Sequence, residues 1–451
     1  MLRLKTSAIA LVMLSLAASL FAQDKQEKKR EWKDRAEYDL YESIVKTQDA
    51  NQWLAALSNW RQQYPESEYS DVRRQLYLET YRALNKPGEA FVAAQDVLKD
   101  NPNNLVALSA IVGYIYNLVP LSSAPLTASQ NADLTIAEQA AHTILDNTDT
   151  IYSKDNRPAN MTDPQADQAK PALRAFAQKT LGYVALERKD NARAQAELTQ
   201  ALQMDPNQGQ VSFWLAESIL AQNKEHPESQ PAALYDFARA ASYSGTGSLA
   251  ANDRKQVQDY LTKVYTQYHG STEGLEKLMA QAATQALAPA GFNIKSKSDL
   301  EREKIAAEEA EAKANPMLAL WKNIRQELMS DAGAAYFENS MKGALLPGGA
   351  EGVARFKGKL ISMTPAARPR ELVLAIENPD QADVRLKLES ALPGKMEPGA
   401  EISFDGVADS YTKDPFLVTF TVERSHIEGW TGRNAPARRG SKSGAKGGAL
   451  H

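Results

Sequence analysis

The sequence predicts an α+β multidomain protein, an N-terminal α-solenoid of helix pairs followed by a small five-stranded β-barrel. Three observations carry this. Residues 175–208 form a unit of 34 residues, with Leu181-Gly182, Ala194, Leu198 and Ala201 at helical spacing and Asp205-Pro206 at its end. The same spacing recurs upstream. From residue 353 the apolar period changes from that of a helix to the two-residue alternation of a strand.

The chain opens with Arg3 and Lys5, an apolar stretch from Thr6 to Phe21, and a small Ala22 before Gln23-Asp24-Lys25. This reads as a secretory signal peptide over 1–22, cut after Ala22. Leu20 is large for a position near such a cut. An uncleaved anchor is the competing reading, but the apolar run is shorter than the roughly 20 residues of a span. The expected location is periplasmic or secreted. There is no cysteine, which removes disulfides, thiolate metal sites and a lipid-anchored lipoprotein route. The formal net charge is −4, and Arg433, Arg438, Arg439, Lys442 and Lys446 lie in the glycine- and serine-rich tail 432–451, so the body is more acidic still. Such a body makes nucleic acid an unlikely partner. The tail reads as disordered.

The charged run 24–35 leads into a first repeat at 34–67, where Tyr38, Tyr41 and Ile44 precede Trp53, Leu57, Trp60 and Tyr64-Pro65. A second covers 71–104, with Leu76, Tyr77 and Tyr81, the turn Asn85-Lys86-Pro87-Gly88, then Ala90, Ala94, Val97 and Asn101-Pro102. A third starts at 105, is interrupted at 118–133, resumes through Ala137, Ala141 and Ile144, and gives way to an irregular stretch over 146–172. The unit 175–208 follows, then one at 209–246 with an insertion at 222–231. Residues 252–269, ended by Gly270, and a second helix over 272–286 close the solenoid, which spans 34–286. These units resemble the tetratricopeptide repeat. Such a unit cannot bury its apolar face alone, so it stacks, and the stack presents a long surface to other proteins. The resemblance implies that the first helix of each pair lines a concave groove. Its expected partner-binding residues are Gln75, Glu79, Arg82, Tyr116, Asn117, Lys179, Tyr183, Glu187, Phe213 and Glu217. They should be at least partly exposed and take an extended peptide or helix. For Tyr183 and Phe213 the alternative is that they fill space between repeats. The two insertions fall between first and second helices, which puts them on one edge.

Residues 287–315 read as a linker and a charged, solvated helix; 316–342 reads as one amphipathic helix. Five strand patterns follow within 353–428, at 355–363, 371–377, 383–389, 401–408 and 416–423. Val384, Leu386 and Leu388 alternate with Arg385, Lys387 and Glu389, and Phe416, Val418, Phe420 and Val422 with Leu417, Thr419 and Thr421. Five short strands suit a small closed barrel. With FKGKLISM opening and ISFDGVADSY before the last strand, the region is similar to the OB-like, tRNA-anticodon-binding-like barrel at the C-terminus of some exported bacterial proteins. An SH3-like barrel is the alternative.

No residue pattern supports an enzyme. The five histidines are scattered, and HExxH, the phosphate loop and the nucleophile elbow are missing from the sequence. No cofactor and no metal are expected. Single-stranded nucleic acid needs exposed aromatics beside basic groups, whereas Phe356, Phe404, Phe416 and Phe420 sit at core positions. The functional expectation is an exported, non-enzymatic scaffold binding a protein or peptide partner of the bacterial envelope in its groove. The alternative is an accessory factor for envelope glycan or peptidoglycan, binding through the barrel.

Overall fold

The computed structural model describes residues 32–432, apart from 33 and 48. The signal peptide and the tail, Gly432 excepted, lie outside the described residues. The chain divides into two units, 1–297 and 298–451.

The first unit is an array of antiparallel helices: α1 (Arg35–Lys46), α2 (Ala50–Gln63), α3 (Ser70–Ala83), α4 (Pro87–Asp100), α5 (Leu105–Leu118), α6 (Ala128–Ile151), α7 (Asp163–Glu187), α8 (Asn191–Met204), α9 (Gly209–Ala221), α10 (Gln230–Ser242), α11 (Ala251–His269) and α12 (Leu275–Thr284). Their limits follow from local chemistry. Asp34, Asp49, Asn104, Thr127, Thr162 and Asp190 each accept a first-turn N–H through the side chain. Tyr64, Asn101 and Asp205, each followed by proline, cap their helices outside the helical region, because proline's ring disfavours it in the preceding residue. Asn85 and Lys189 adopt the same left-handed conformation between the paired helices (φ 51° and 60°). In both turns the next N–H reaches back to a helix carbonyl: Lys86 to Tyr81 and Asp190 to Ala185, each at 2.9 Å. Two units far apart in sequence thus share one turn. Gly270 ends α11 at φ 94°.

Stacking buries the small residues. Ala194 and Ala201 are wholly inaccessible. A Cβ on Gly182 would stand 2.5 Å from Leu198 Cδ2, so only glycine lets α7 and α8 approach this closely.

Three expectations here need correction. The interruption at 118–133 is shorter, because Thr127 and Gln130 form a reciprocal capping box that starts α6 at Ala128. The stretch 146–172 is mostly helical: α6 runs to Ile151, and a second capping box at Thr162 and Gln165 starts α7 there. Pro171 lies inside α7, where it read as a breaker.

In the second unit, α13 (Lys297–Ala314) buries no residue, as its charge pattern predicts. The helix expected over 316–342 is two pieces. α14 (Pro316–Met329) ends at Ser330, and α15 (Gly333–Tyr336) continues into a wider turn over Phe337–Met341. Trp321 of α14 is fully buried and meets Phe356 edge-on at 5.3 Å.

The strands are β1 (Leu345–Leu346), β2 (Phe356–Thr364), β3 (Glu371–Ala375), β4 (Val384–Leu388), β5 (Glu401–Phe404), β6 (Gly406–Lys413), β7 (Phe416–Val422) and β8 (Ile427–Glu428). They form a curled eight-stranded sheet in the order β1-β6-β7-β4-β3-β2-β5-β8, rather than a plain five-stranded barrel. The strand expected at 401–408 is split by Asp405: β5 pairs with β2 and β6 with β7. β4 and β7 are parallel, and the other pairs antiparallel. Phe356, Phe404 and Phe420 are fully buried, and Phe416 nearly so. Asp383 is also buried. Its carboxylate accepts the N–H groups of Ile376 (2.7 Å) and Glu377 (2.9 Å) and lies 3.3 Å from Arg325 Nη1.

Candidate functional site: the face formed by the first helices

The residues singled out from the sequence lie on α3, α5, α7 and α9. Asn117 is exposed, and Gln75, Glu79, Arg82, Tyr116 and Glu217 are half-buried. Lys179, Tyr183, Glu187 and Phe213 are buried, which corrects the expectation that all were partly exposed. Tyr183 and Phe213 fill space between helices.

The physical reason is an aromatic cluster that draws three helices together. Tyr116 of α5 lies 4.4 Å, ring to ring, from Tyr183 of α7 and 6.2 Å from Trp214 of α9, onto which it stacks. Phe176 lies 5.9 Å from Tyr116, whose hydroxyl is 3.0 Å from Thr180 Oγ1. The Lys179 ammonium sits 5.4 Å from the Trp214 ring and 5.8 Å from the Tyr116 ring. Among the described residues it has no hydrogen-bond or ion-pair partner, so two ring faces stabilise it in place of a counter-charge. Burial pulls its pKa down to about 8, and the more distant Asp205 opposes this. Burial pushes the phenols of Tyr116 and Tyr183 upward.

Glu187 lies two turns beyond Lys179 on the same stripe of α7, with Tyr183 between them. Its Oε1 is buried without a hydrogen-bond partner. Burial raises its pKa to about 7, against the opposing charge of Lys189 and a hydrogen bond from Tyr183. Eight residues of helix separate the lysine and the glutamate by about 12 Å, too far to act on one reacting atom. On α3, Glu79 pairs with Arg82 at 2.8 Å, and burial raises the Glu79 pKa despite that arginine. On α9, burial raises the Glu217 pKa.

Phe176, Thr180 and Trp214 complete the cluster and were not among the expected site residues. Their signal was legible in part: Phe176, Thr180 and Tyr183 fall at i, i+4 and i+7 on α7. The two insertions meet the same turn. Lys189 Nζ donates to the Ser122 carbonyl at 2.9 Å, and Gln222 Nε2 donates to the Asn191 carbonyl at 3.3 Å. Both therefore flank residues 188–191 on one edge.

The second unit offers a shallow concavity of about 540 Å³ between Lys322, Arg325, Gln326 and Met329 of α14 and the β3–β4 connection at Glu377, Asn378 and Gln381. Arg325 is already held there by Glu377 at 2.8 Å. Outward charges of the sheet pair across strands, Arg385 with Glu371 and Lys387 with Asp409. Thr419, expected outward, is buried beside Arg385. Among the described residues no cluster of His, Asp and Glu is placed to hold a metal, and no helix is long and apolar enough to cross a membrane.

No family model and no curated protein matches this sequence. Among solved structures, that of Pseudomonas aeruginosa pilF shares 17% identity over 55% of this chain and 87% of its own, with a TM-score of 0.29. The thermophilic TPR protein TTC0263 of Thermus thermophilus shares 15% identity over 51% of this chain and 96% of its own, with a TM-score of 0.25. Both likenesses are loose. The repeat reading rests on the shared turns, caps and small-residue contacts of the helix pairs.

Proposed function

We propose that this chain is a tetratricopeptide-type scaffold of the bacterial envelope that binds a protein or peptide partner along the face of its first helices. The observation that carries this is the convergence of α5, α7 and α9 on one stripe of aromatic and charged side chains. Because the middle of that stripe is filled by Tyr183 and Trp214, the partner is met by its rim: Gln75, Glu79, Arg82, Asn117 and Glu217, with Tyr116 beside them. Lys179, Tyr183, Glu187 and Phe213 shape the surface from below.

In the second unit, the curled sheet supports an OB-type barrel. The support is the pairing: β5 and β6 follow each other on either side of Asp405, β5 pairs with β2 and β6 with β7, and β4 and β7 make the one parallel pair of strands. Arg355 Nε and His426 Nδ1 hold the bend through the Asp405 carboxylate at 2.9 and 2.6 Å. The concavity beside α14 keeps open the second reading, in which this unit binds envelope glycan.

A photo-crosslinking residue in the full chain tests both, at Asn117 in one variant and at Gln381 in another. A protein adduct at 117, lost with Arg82→Ala and Glu217→Ala, is the expected result. Adducts at 381 alone would move binding to the second unit.

A further inference from the structure

The concavity beside α14 is built on one buried carboxylate. Asp383 accepts the Ile376 and Glu377 N–H groups, which fixes the β3–β4 connection, and lies 3.3 Å from Arg325 Nη1, which fixes the helix. The connection is held further by its own turn. The Asp380 N–H donates to Asn378 Oδ1 at 3.1 Å, and the Gln381 N–H donates to the Asn378 carbonyl at 3.0 Å. Both walls are thus set before anything binds, so a ligand does not have to order them. The charges of the lining are already spent. Arg325 is paired with Glu377 and Asp383, and Lys322 with Glu311 of α13 at 2.8 Å. The next charged residue of the connection, Asp380, is an acid. An anion entering here meets no unpaired cation among the lining residues.

What remains to meet a ligand is neutral. The side-chain amides of Gln326 and Gln381 line the concavity and have no hydrogen-bond partner among the described residues. Each carries donors and an acceptor side by side. Met329, one turn from Gln326 on the same stripe of α14, leaves 48% of its surface to solvent. An extended peptide would look for a strand edge. None is open beside the concavity, because β3 pairs with β2 and β4, and β4 with β3 and β7. We propose that the concavity is a subsite for an uncharged acetamido sugar of a glycan chain: Gln326, Asn378 and Gln381 hydrogen-bond its acetamido and hydroxyl groups, and Met329 covers its methyl group. This subsite rests on the second reading above, that the second unit binds glycan, and needs nothing from the first unit.

Gln326 and Gln381 are exposed, so their substitution leaves the fold intact. The test is saturation-transfer difference NMR on the full chain with four probes. Chitotriose carries an acetamido group on each sugar, maltotriose has hydroxyls only, trigalacturonic acid is anionic, and N-acetyl-trialanine amide is a neutral peptide. The expected result is a signal from chitotriose, strongest at the acetamido methyl, a weaker one from maltotriose, and none from the other two. Gln326→Ala and Gln381→Ala should each weaken chitotriose binding about 2- to 10-fold, and the double variant should abolish it. A chitotriose signal unchanged in the double variant overturns the subsite and leaves the second reading standing, with glycan bound elsewhere. A trigalacturonate signal as strong as that of chitotriose overturns the uncharged ligand and also leaves that reading standing. A peptide signal that the double variant removes makes the concavity a peptide site and overturns the subsite. No signal from any sugar overturns both the subsite and the second reading.

Discussion

Glu187 and Lys179 are costly where they stand, and the cost has a sign. A carboxyl whose folded pKa is raised from the ordinary 4.5 to about 7 costs nothing below pH 4.5. Its penalty grows as pH rises and is complete above 7, because the unfolded chain then carries the charge more readily. Glu187→Gln should therefore raise stability at pH 8 by up to about 3 kcal/mol. The gain should vanish near pH 5, as read from denaturant midpoints at the two pH values. For Lys179 the window is reversed. Its folded pKa of about 8 lies below the ordinary 10.5, so the penalty is present below 8 and gone above 10.5. Lys179→Met should stabilise the protein at pH 7 by about 1–3 kcal/mol, net of the lost ring contacts. A smaller gain at pH 10 than at pH 7 is the check. Asp236 belongs to the same class, being buried with an unpartnered Oδ1 and a pKa raised well above the ordinary value by burial.

Helix pairs are held by close approach rather than by large side chains. Ala194→Trp in α8 places an indole where a methyl is already wholly buried. It should cost about 1–3 kcal/mol or more. The loss should appear as earlier melting of the helical signal, with the near-ultraviolet signature of Trp321 against Phe356 retained. In the second unit the equivalent point is Asp383, which joins α14 to the β3–β4 connection by accepting two backbone N–H groups and pairing with Arg325. Asp383→Ala strands the two backbone donors, while Arg325 keeps Glu377, and should cost about 2–5 kcal/mol. Asp383→Asn keeps an acceptor and should cost less. Equal losses in the two variants would show that the carboxylate is dispensable there.

On the scale of the whole chain, the apolar run after Arg3 and Lys5 carries the proposal that the protein is exported. Mass spectrometry of the protein from its native envelope should find a chain starting at Gln23, and an intact Met1 would refute cleavage. The solenoid was legible because its determinants are local: a capping aspartate, a proline after the last turn, a left-handed residue between paired helices. Each acts within a few residues, so Asp190, Asp205-Pro206 and Asn85 declare themselves in the sequence. The period-two runs at 384–388 and 416–422 declare the strands for the same reason. The capping boxes at Thr127 and Thr162 were equally local, but polar and proline-containing neighbours masked them. What only the tertiary structure decided depends on long-range geometry. The bend at Asp405 needs Arg355 and His426, 50 and 21 residues away. Lys179 and Tyr183 are buried where Tyr116 of α5 meets Trp214 of α9. Helical spacing tells which residues share a face of one helix. It does not tell which of those residues a neighbouring helix covers, and the packing of α5 and α9 against α7 decided that for Lys179 and Tyr183.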